Sequence, residues 1–273
     1  LYTYVNKETL ENLVIPDDKP TAGGFSELSD AVEKTMMDEF ETMTESKSYP
    51  NDYLRRACEL YALAKDADRK AKHGIAPALK NLTVIDEIKE LGDFSRLYKT
   101  LSLKHIPTPI NIGVETDMKN TKQHLVYIQG AGVILPDASY YKPEMEAQKT
   151  QILGIWTNVA KAVMAQTDLS PEAQEQYVND TLAFDEILGG LVKTQEEWSK
   201  YVEMYNPMPT SDVCAMLSSV DFEAILNDLF GKVPETVVVT EPRFFGEFAK
   251  VFNEENLELY KHWAYVTGLL NDC

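Results

Sequence analysis

The sequence has few cysteines and no long apolar run. Its 273 residues include three cysteines, Cys58, Cys214 and Cys273, which are odd in number and far apart. This usage argues against a disulfide scaffold and favours a reducing compartment, so we expect a cytoplasmic protein. No stretch approaches the roughly 20 apolar residues that a membrane-spanning helix needs, and no basic segment is followed by the apolar core of a signal peptide. We therefore expect no membrane partner.

Basic residues are scarce relative to acidic ones. The 26 Lys and Arg face 44 Asp and Glu, which gives a formal net charge of -18 at pH 7. A surface this acidic repels the phosphates of nucleic acids unless a local basic patch intervenes. We therefore expect no nucleic-acid partner. Hydrophobic residues make up 44% of the chain, close to the globular average, so the chain can form a sizeable core.

The usual catalytic and metal-binding motifs are also missing. The four histidines, His73, His105, His124 and His262, are at least 19 residues apart, and none begins a His-Glu-x-x-His motif. A zinc site needs three or four convergent ligands, so we expect this chain to bind no metal and interpret the histidines as surface or helix-end residues. Cys58 lies on an apolar stripe and is predicted to be a small core residue. The sequence has no Cys-x-x-Cys pair, phosphate loop or Gly-x-Ser-x-Gly element.

Most of the chain has the periodicity of amphipathic helices. Helices are predicted over residues 27–43, 53–73, 78–91, 93–101, 143–166, 171–192, 195–205, 221–230, 242–252 and 255–270, with a short β-prone run at 237–239. Two packed layers of helices around one core would suit this pattern.

Two segments depart from the helical rhythm. Residues 108–135 contain alternating apolar residues on both sides of a polar turn, which predicts a β-hairpin. Residues 1–25 are punctuated by Pro and Gly and predict an extended arm rather than a helix. The predicted fold is therefore mainly α: a multi-helical lobe over residues 26–273 with one small β-hairpin at about 108–135, and an extended N-terminal arm over residues 1–25.

Several stretches, in this order along the chain, resemble the neprilysin-like zinc metallopeptidases. They are residues 1–6, 14–18 and 23–28, the sequence LPDASYY at 135–141, the Asn-Pro-Met turn at 206–208, and the closing helix at 254–270. Because the chain lacks the family's disulfide cysteines, it is more similar to the bacterial cytosolic endopeptidase O branch than to the ectoenzymes.

The resemblance implies a two-lobed oligopeptidase. In that family the C-terminal half carries the His-Glu-x-x-His motif and a later Glu ligand, while a helical lobe faces it and limits substrates to peptides. This chain corresponds to the N-terminal arm and much of the helical lobe, so the resemblance implies zinc in the full-length parent and none bound here. No catalytic residue is carried over. Residues 1–25 would pack on the C-terminal catalytic lobe, and residues 26–273 would form the substrate-access domain.

The resemblance also suggests one edge of the substrate cleft. Gly23, Gly24 and Phe25 match the Gly-x-Phe element that lies there in the family. The family has an arginine just before this element, which helps to bind the carboxyl end of the substrate. Here Thr21 or Ala22 occupies that position, so the carboxylate-binding role is not carried over.

Two hypotheses follow. The first is the N-terminal helical part of a zinc metalloendopeptidase that hydrolyses oligopeptides, inactive by itself and shaping the substrate chamber. The alternative is a free-standing acidic helical module that binds a protein partner without catalysis. Because the chain starts with Leu1 and its last helix has no Gly or Pro stop, we expect the natural protein to be longer. The first hypothesis also predicts an exposed apolar patch formed by residues 1–25 and the last helix.

Overall fold

The structure is a computed structural model that describes residues 2–17, 19 and 22–272. The chain divides into two compact units, residues 1–74 and 75–273. Leu1, Thr21 and Cys273, which are named above, lie outside the described residues.

The first unit consists of helices. They are α1 (Tyr2–Asn12), α2 (Gly24–Ser46), α3 (Asp52–Lys65) and α4 (Ala67–His73). Helices α2 and α3 pack together, with the rings of Phe40 and Tyr61 in edge-to-face contact at 5.5 Å between centroids. Cys58 on α3 is buried, as predicted. The predicted helix over 53–73 is interrupted at Asp66, whose carboxylate accepts a hydrogen bond from Arg69 N and so caps the start of α4.

The prediction of an extended backbone is wrong for residues 2–12, which form α1. No Gly or Pro interrupts the chain before Pro16, so the punctuation that suggested an arm applies only to its second half. Local contacts support this helix. The Asn6 side-chain amide donates a hydrogen bond to Tyr2 O at 3.0 Å, and Lys7 Nζ lies 3.8 Å from Glu11 Oε1, one helical turn further on.

The second unit contains the remaining helices and a sheet. Its helices are α5 (Ala76–Leu82), α6 (Leu91–Leu103), α7 (Glu146–Met164), α8 (Pro171–Gly189), α9 (Gln195–Trp198), α10 (Thr210–Met216), α11 (Phe222–Phe230), α12 (Pro242–Gly246), α13 (Phe248–Val251) and α14 (Leu257–Asp272). Its strands are β1 (Ile110–Asp117), β2 (Asn120–Gly130), β3 (Pro207–Pro209) and β4 (Thr236–Val239), and single 3-10 turns cover 83–87, 138–141, 143–145 and 201–204.

The predicted hairpin is confirmed as β1 and β2, but it belongs to a four-stranded sheet with the order β1-β2-β4-β3. Strands β1 and β2 pair antiparallel from Ile110 opposite Gly130 to Thr116 opposite His124. Strand β4 pairs parallel to β2 and antiparallel to β3. Its Val237 to Val239 are fully buried, which explains why so short a β-branched run is a strand. Strand β1 therefore lies at an edge of the sheet.

The core of the second unit is built around α14. The rings of Phe94, Phe184, Phe252, Tyr260 and Trp263 contact one another, with centroids 4.6 to 6.2 Å apart. The expectation that the last helix exposes apolar surface is wrong, because its large apolar side chains are buried or half-buried in this core.

His262 is also placed differently from the prediction. It is buried between α14 and α8, where its Nδ1 lies 2.6 Å from Asp180 Oδ2 and its ring stacks on Tyr177. A histidine can occupy such an interior because a carboxylate satisfies its ring nitrogen. His73 ends α4, as predicted.

Candidate functional site

Three adjoining cavities lie along the β-hairpin. The first, of about 590 Å³, and the second, of about 560 Å³, share Asn111 and Ile112. A third of about 210 Å³ shares Gln129 and Trp198 with the second, and Gly132 with the first. Asn111 and Gln129 are cross-strand partners. We call this region of the second unit the hairpin trough.

Aromatic side chains form the walls of the first cavity. Trp156 from α7 and Trp263 from α14 lie there with Tyr98 from α6. Thr267 also lines it, and its buried hydroxyl has no hydrogen-bond partner among the described residues. Large ring surfaces with a few polar groups between them are typical of sites that bind organic ligands.

The second cavity is the more apolar part of the trough. Met118, Tyr127, Trp198 and Met204 contribute apolar surface to it. Glu115 is the one charged side chain among the described residues that line it, and no ion pair to Glu115 is seen in that part of the chain. The cavity therefore combines apolar walls with a single exposed negative charge.

Buried Glu241 holds the edge of the trough in place. Its Oε2 accepts a hydrogen bond from Gly130 N at 2.7 Å and its Oε1 accepts one from Lys193 N at 3.0 Å. Burial raises the pKa of Glu241, and the two backbone donors act in the opposite direction. A Cβ on Gly130 would come within 3.0 Å of Glu241 Oε2 and 3.1 Å of the Phe244 ring, so a larger residue at the end of β2 would require these side chains to shift.

A second buried carboxylate holds the segment that follows β2. Asp185 Oδ1 accepts a hydrogen bond from Ile134 N at 2.8 Å, and Asp185 Oδ2 accepts one from the Tyr141 hydroxyl. Burial raises the pKa of Asp185 to about 6, and burial beside this carboxylate raises the pKa of Tyr141. The Tyr141 ring lies flat over Gly189, where a Cβ would approach it to 2.4 Å.

The buried carboxylates of the trough are bonded to neighbouring groups of the chain. Within the described ranges, no three His, Cys, Asp or Glu side chains converge as a metal site. The residues present therefore do not fit the zinc ion that the resemblance implies for a full-length parent. Glu241 and Asp185 bond to backbone N–H groups, so their part is to position the chain. The trough offers apolar and aromatic surface with a few polar groups.

The predicted cleft-edge residues lie in the first unit. Gly23 precedes α2, Gly24 begins it, and Phe25 is 93% exposed. The residues of the hairpin trough were missed by sequence reasoning. The alternation that predicted β1 and β2 was the one available signal, because the cavities are formed by helices far away along the chain.

In the described part of the chain, no helix is long and apolar enough to cross a membrane.

The fold and the trough define a class: a helical domain with a small sheet that offers binding surface and carries, in its described residues, no metal-binding cluster. The family model for the N-terminal part of peptidase family M13 matches residues 1–271. The chain belongs to this family and corresponds to its N-terminal domain. The resemblance drawn from the sequence motifs is thereby confirmed, as is the mainly α fold.

Similar proteins include the neutral endopeptidase of Lactococcus lactis subsp. cremoris, 31% identical over 264 residues, which cover 96% of this chain and 42% of the relative. The neutral endopeptidase of Lactobacillus helveticus is 31% identical over 268 residues, which cover 97% of this chain and 41% of the relative. Among solved structures, PepO from Lactobacillus rhamnosis HN001 matches with a TM-score of 0.86 at 24% identity, over 99% of this chain and 42% of that one. The chain thus spans about two fifths of the length of these relatives.

Proposed function

We propose that this chain is the N-terminal helical part of a zinc metalloendopeptidase that hydrolyses oligopeptides. The observation that carries the proposal is the match of one peptidase family model to residues 1–271. The neutral endopeptidases similar to this chain are more than twice as long as the part that aligns with it. The zinc ligands and the C-terminal catalytic lobe would lie in the remaining part. When bound there, zinc would activate the water that attacks the peptide carbonyl.

The role proposed for this chain is to form a wall of the substrate chamber. The hairpin trough supports this role, because its adjoining cavities offer apolar and aromatic surface to a peptide. A wall opposite the catalytic lobe narrows the entrance, so folded proteins are excluded and oligopeptides enter. Exclusion of water would also strengthen the electrostatic interactions at the reacting bond.

Residues 1–25 are proposed to pack on the catalytic lobe, with Gly23, Gly24 and Phe25 at the edge of the substrate cleft. Exposed apolar side chains in this segment support the proposal: Tyr4 is 89% exposed and Phe25 93%. Large apolar groups with this exposure mark surfaces that another part of a protein covers.

A cytoplasmic location is proposed from cysteine usage. The described cysteines, Cys58 and Cys214, are both free thiols, which persist in reducing compartments.

Peptidase assays on two forms of the protein test the proposed function. The 273-residue chain, incubated with oligopeptides and added zinc, should show no zinc-dependent cleavage. The same chain extended through the rest of its gene should cleave them and lose activity on chelation. The gene beyond position 273 should encode a His-Glu-x-x-His motif. Turnover by the 273-residue chain with stoichiometric zinc, or a stop directly after Cys273, would contradict the proposal.

A further inference from the structure

The outer edge of β1 presents backbone groups that the sheet does not use. Ile110 O accepts hydrogen bonds from the Tyr98 hydroxyl at 2.9 Å and the Thr108 hydroxyl at 2.7 Å, so this carbonyl is directed away from β2. Ile128, the partner of Ile112, accepts a bond from Thr240 N on the β4 side. The pair of Ile112 and Ile128 therefore exchanges no hydrogen bonds across the hairpin.

Antiparallel strands alternate between hydrogen-bonded and non-hydrogen-bonded pairs. Val114 and Thr116 follow Ile112 at steps of two, so their N–H and C=O groups are also directed to the outer edge. Thr116 O there already accepts a hydrogen bond from the Tyr127 hydroxyl at 3.3 Å, so the groups of Val114 are the ones offered to a further strand. In the part of the chain that the structure describes, no partner is recorded for Val114 N or Val114 O. Natural edge strands are usually blunted by Lys, Pro or a bulge. Residues 110–116 contain no Lys or Pro, Glu115 is their one charged side chain, and the register shift comes only after Thr116.

The open edge borders the second cavity of the hairpin trough. Residues from both faces of β1 line that cavity. Gly113 and Glu115 belong to one face, and Ile112 and Thr116 belong to the other. The cavity thus reaches the backbone edge itself. A strand added here would place alternate side chains against the apolar wall and beside Glu115.

We propose that the outer edge of β1 binds an extended peptide by strand addition, with apolar side chains flanking a basic one. The basic side chain would face Glu115, and the apolar ones would contact Met118 and Trp198. Charge complementarity selects this occupant, because Glu115 is the charged group of the cavity and has no ion-pair partner in the described residues. The inference rests on the proposed function, since it names the substrate class that this wall would hold.

Binding of a labelled peptide to the 273-residue chain tests the inference without zinc or catalysis. The probe is Ser-Leu-Ser-Arg-Ser-Leu-Ser, which carries both leucines and the arginine on one face when extended. Fluorescence anisotropy should show saturable binding that weakens with salt, because the ion pair is exposed. The same peptide with a central glutamate should bind more weakly. Alternate N–H groups of an extended peptide point to the same side. N-methylation of the set that faces β1 should abolish binding, whereas N-methylation of the set that faces away from β1 should be tolerated.

Two pairs of variants locate the site. Val114→Pro removes one outward N–H and should weaken binding about fivefold, which corresponds to the loss of one hydrogen bond. Val114→Thr keeps this N–H and should bind the peptide as the unchanged chain does. Glu115→Gln should remove the preference for arginine over glutamate, and Glu235→Gln, an exposed carboxylate outside the cavity lining, should retain it.

Equal binding by Val114→Pro and Val114→Thr, or no binding of the arginine peptide, would overturn the inference. A concentration-dependent dimer that only Val114→Pro abolishes, without peptide binding, would assign the edge to a second copy instead. Each of these results leaves the proposed peptidase function standing, because that function is judged by zinc-dependent cleavage in the longer chain.

Discussion

Two helical glycines differ in the space around them: Gly189 is the last residue of α8, and Gly154 lies inside α7. A Cβ on Gly189 in α8 would lie 2.4 Å from the Tyr141 ring, whereas one on Gly154 in α7 would meet nothing within 4 Å. The ring that crosses Gly189 is held by Asp185, so it cannot move away without breaking that hydrogen bond. Close approach, rather than backbone freedom, explains the glycine at position 189.

We predict opposite effects of alanine at these positions. Gly189→Ala should lower the free energy of unfolding by about 1–3 kcal/mol through overpacking. Gly154→Ala, a control inside a helix, should raise it by about 0.5–1 kcal/mol, because alanine loses less backbone entropy in a helix. Urea unfolding followed by tryptophan fluorescence measures both, since all three tryptophans, at positions 156, 198 and 263, belong to the second unit. Equal effects of the two substitutions would contradict the close contact.

At the scale of elements, the segment after β2 is attached to α8 through one carboxylate. The pKa of Asp185 is about 6 in the folded chain, above its ordinary value of 3.8. A raised pKa means that the folded state binds this proton more tightly than the unfolded state. The contribution of Asp185 to the free energy of unfolding is therefore greatest below about pH 3.8. It decreases by about 3 kcal/mol in all as the pH rises from there through 6.

Asp185→Asn should remove this pH dependence. The asparagine can still accept from Ile134 N and can donate to the Tyr141 oxygen, so the contacts are retained without the charge. The free energy of unfolding of the variant, relative to the unchanged chain, should increase between pH 4 and pH 6 and then level off. Urea unfolding at four or five pH values in this range gives the difference. Parallel profiles for the two proteins would mean that Asp185 keeps an ordinary pKa.

Elements were predictable where a local pattern decides them. Periodicity located α2, α3, α7 and α8, and alternation located the hairpin, because each pattern follows from burying one face of the element. The breaks between elements were harder. The predicted helix over 78–91 ends at Leu82 and is followed by a 3-10 turn, and Asp93 acts inside α6 in a capping box with Glu90 rather than as its N-cap.

The site was not predictable from such patterns. Its two buried carboxylates, Asp185 and Glu241, bond to backbone groups 51 and 111 positions away, at Ile134 and Gly130. In the sequence they look like the many surface acids of this chain. Periodicity also does not show whether the apolar face of a helix is buried. Leu28 and Val32 share one face of α2, as predicted, yet they are 62% and 51% exposed.

At the scale of the whole molecule, the two units differ in core size. Among the described residues of the first unit, Cys58 is the one buried hydrophobic residue, whereas the connected core extends from Ala78 to Leu269 in the second. Burial of apolar surface is the main stabilising contribution to folding. The first unit should therefore unfold under milder conditions than the second.

Urea titration with two probes checks this prediction. Helical circular dichroism should begin to fall at a lower urea concentration than tryptophan fluorescence, because the described residues of the first unit form four helices and its sequence contains no tryptophan. A shortened protein comprising residues 75–273 serves as the control and should show coincident transitions for the two probes. Coincident transitions in the 273-residue chain would show that the units unfold together.

The parallel pairing of β2 with β4 has a consequence during synthesis. Ile128 accepts hydrogen bonds from Thr240, which lies 112 positions later in the chain. At a translation rate of about 5–20 residues per second, the ribosome needs roughly 5–20 s to produce that partner. Until then the inner edge of the nascent hairpin is as open as its outer edge. The β4-facing edge of the hairpin therefore has no strand partner until β4 emerges.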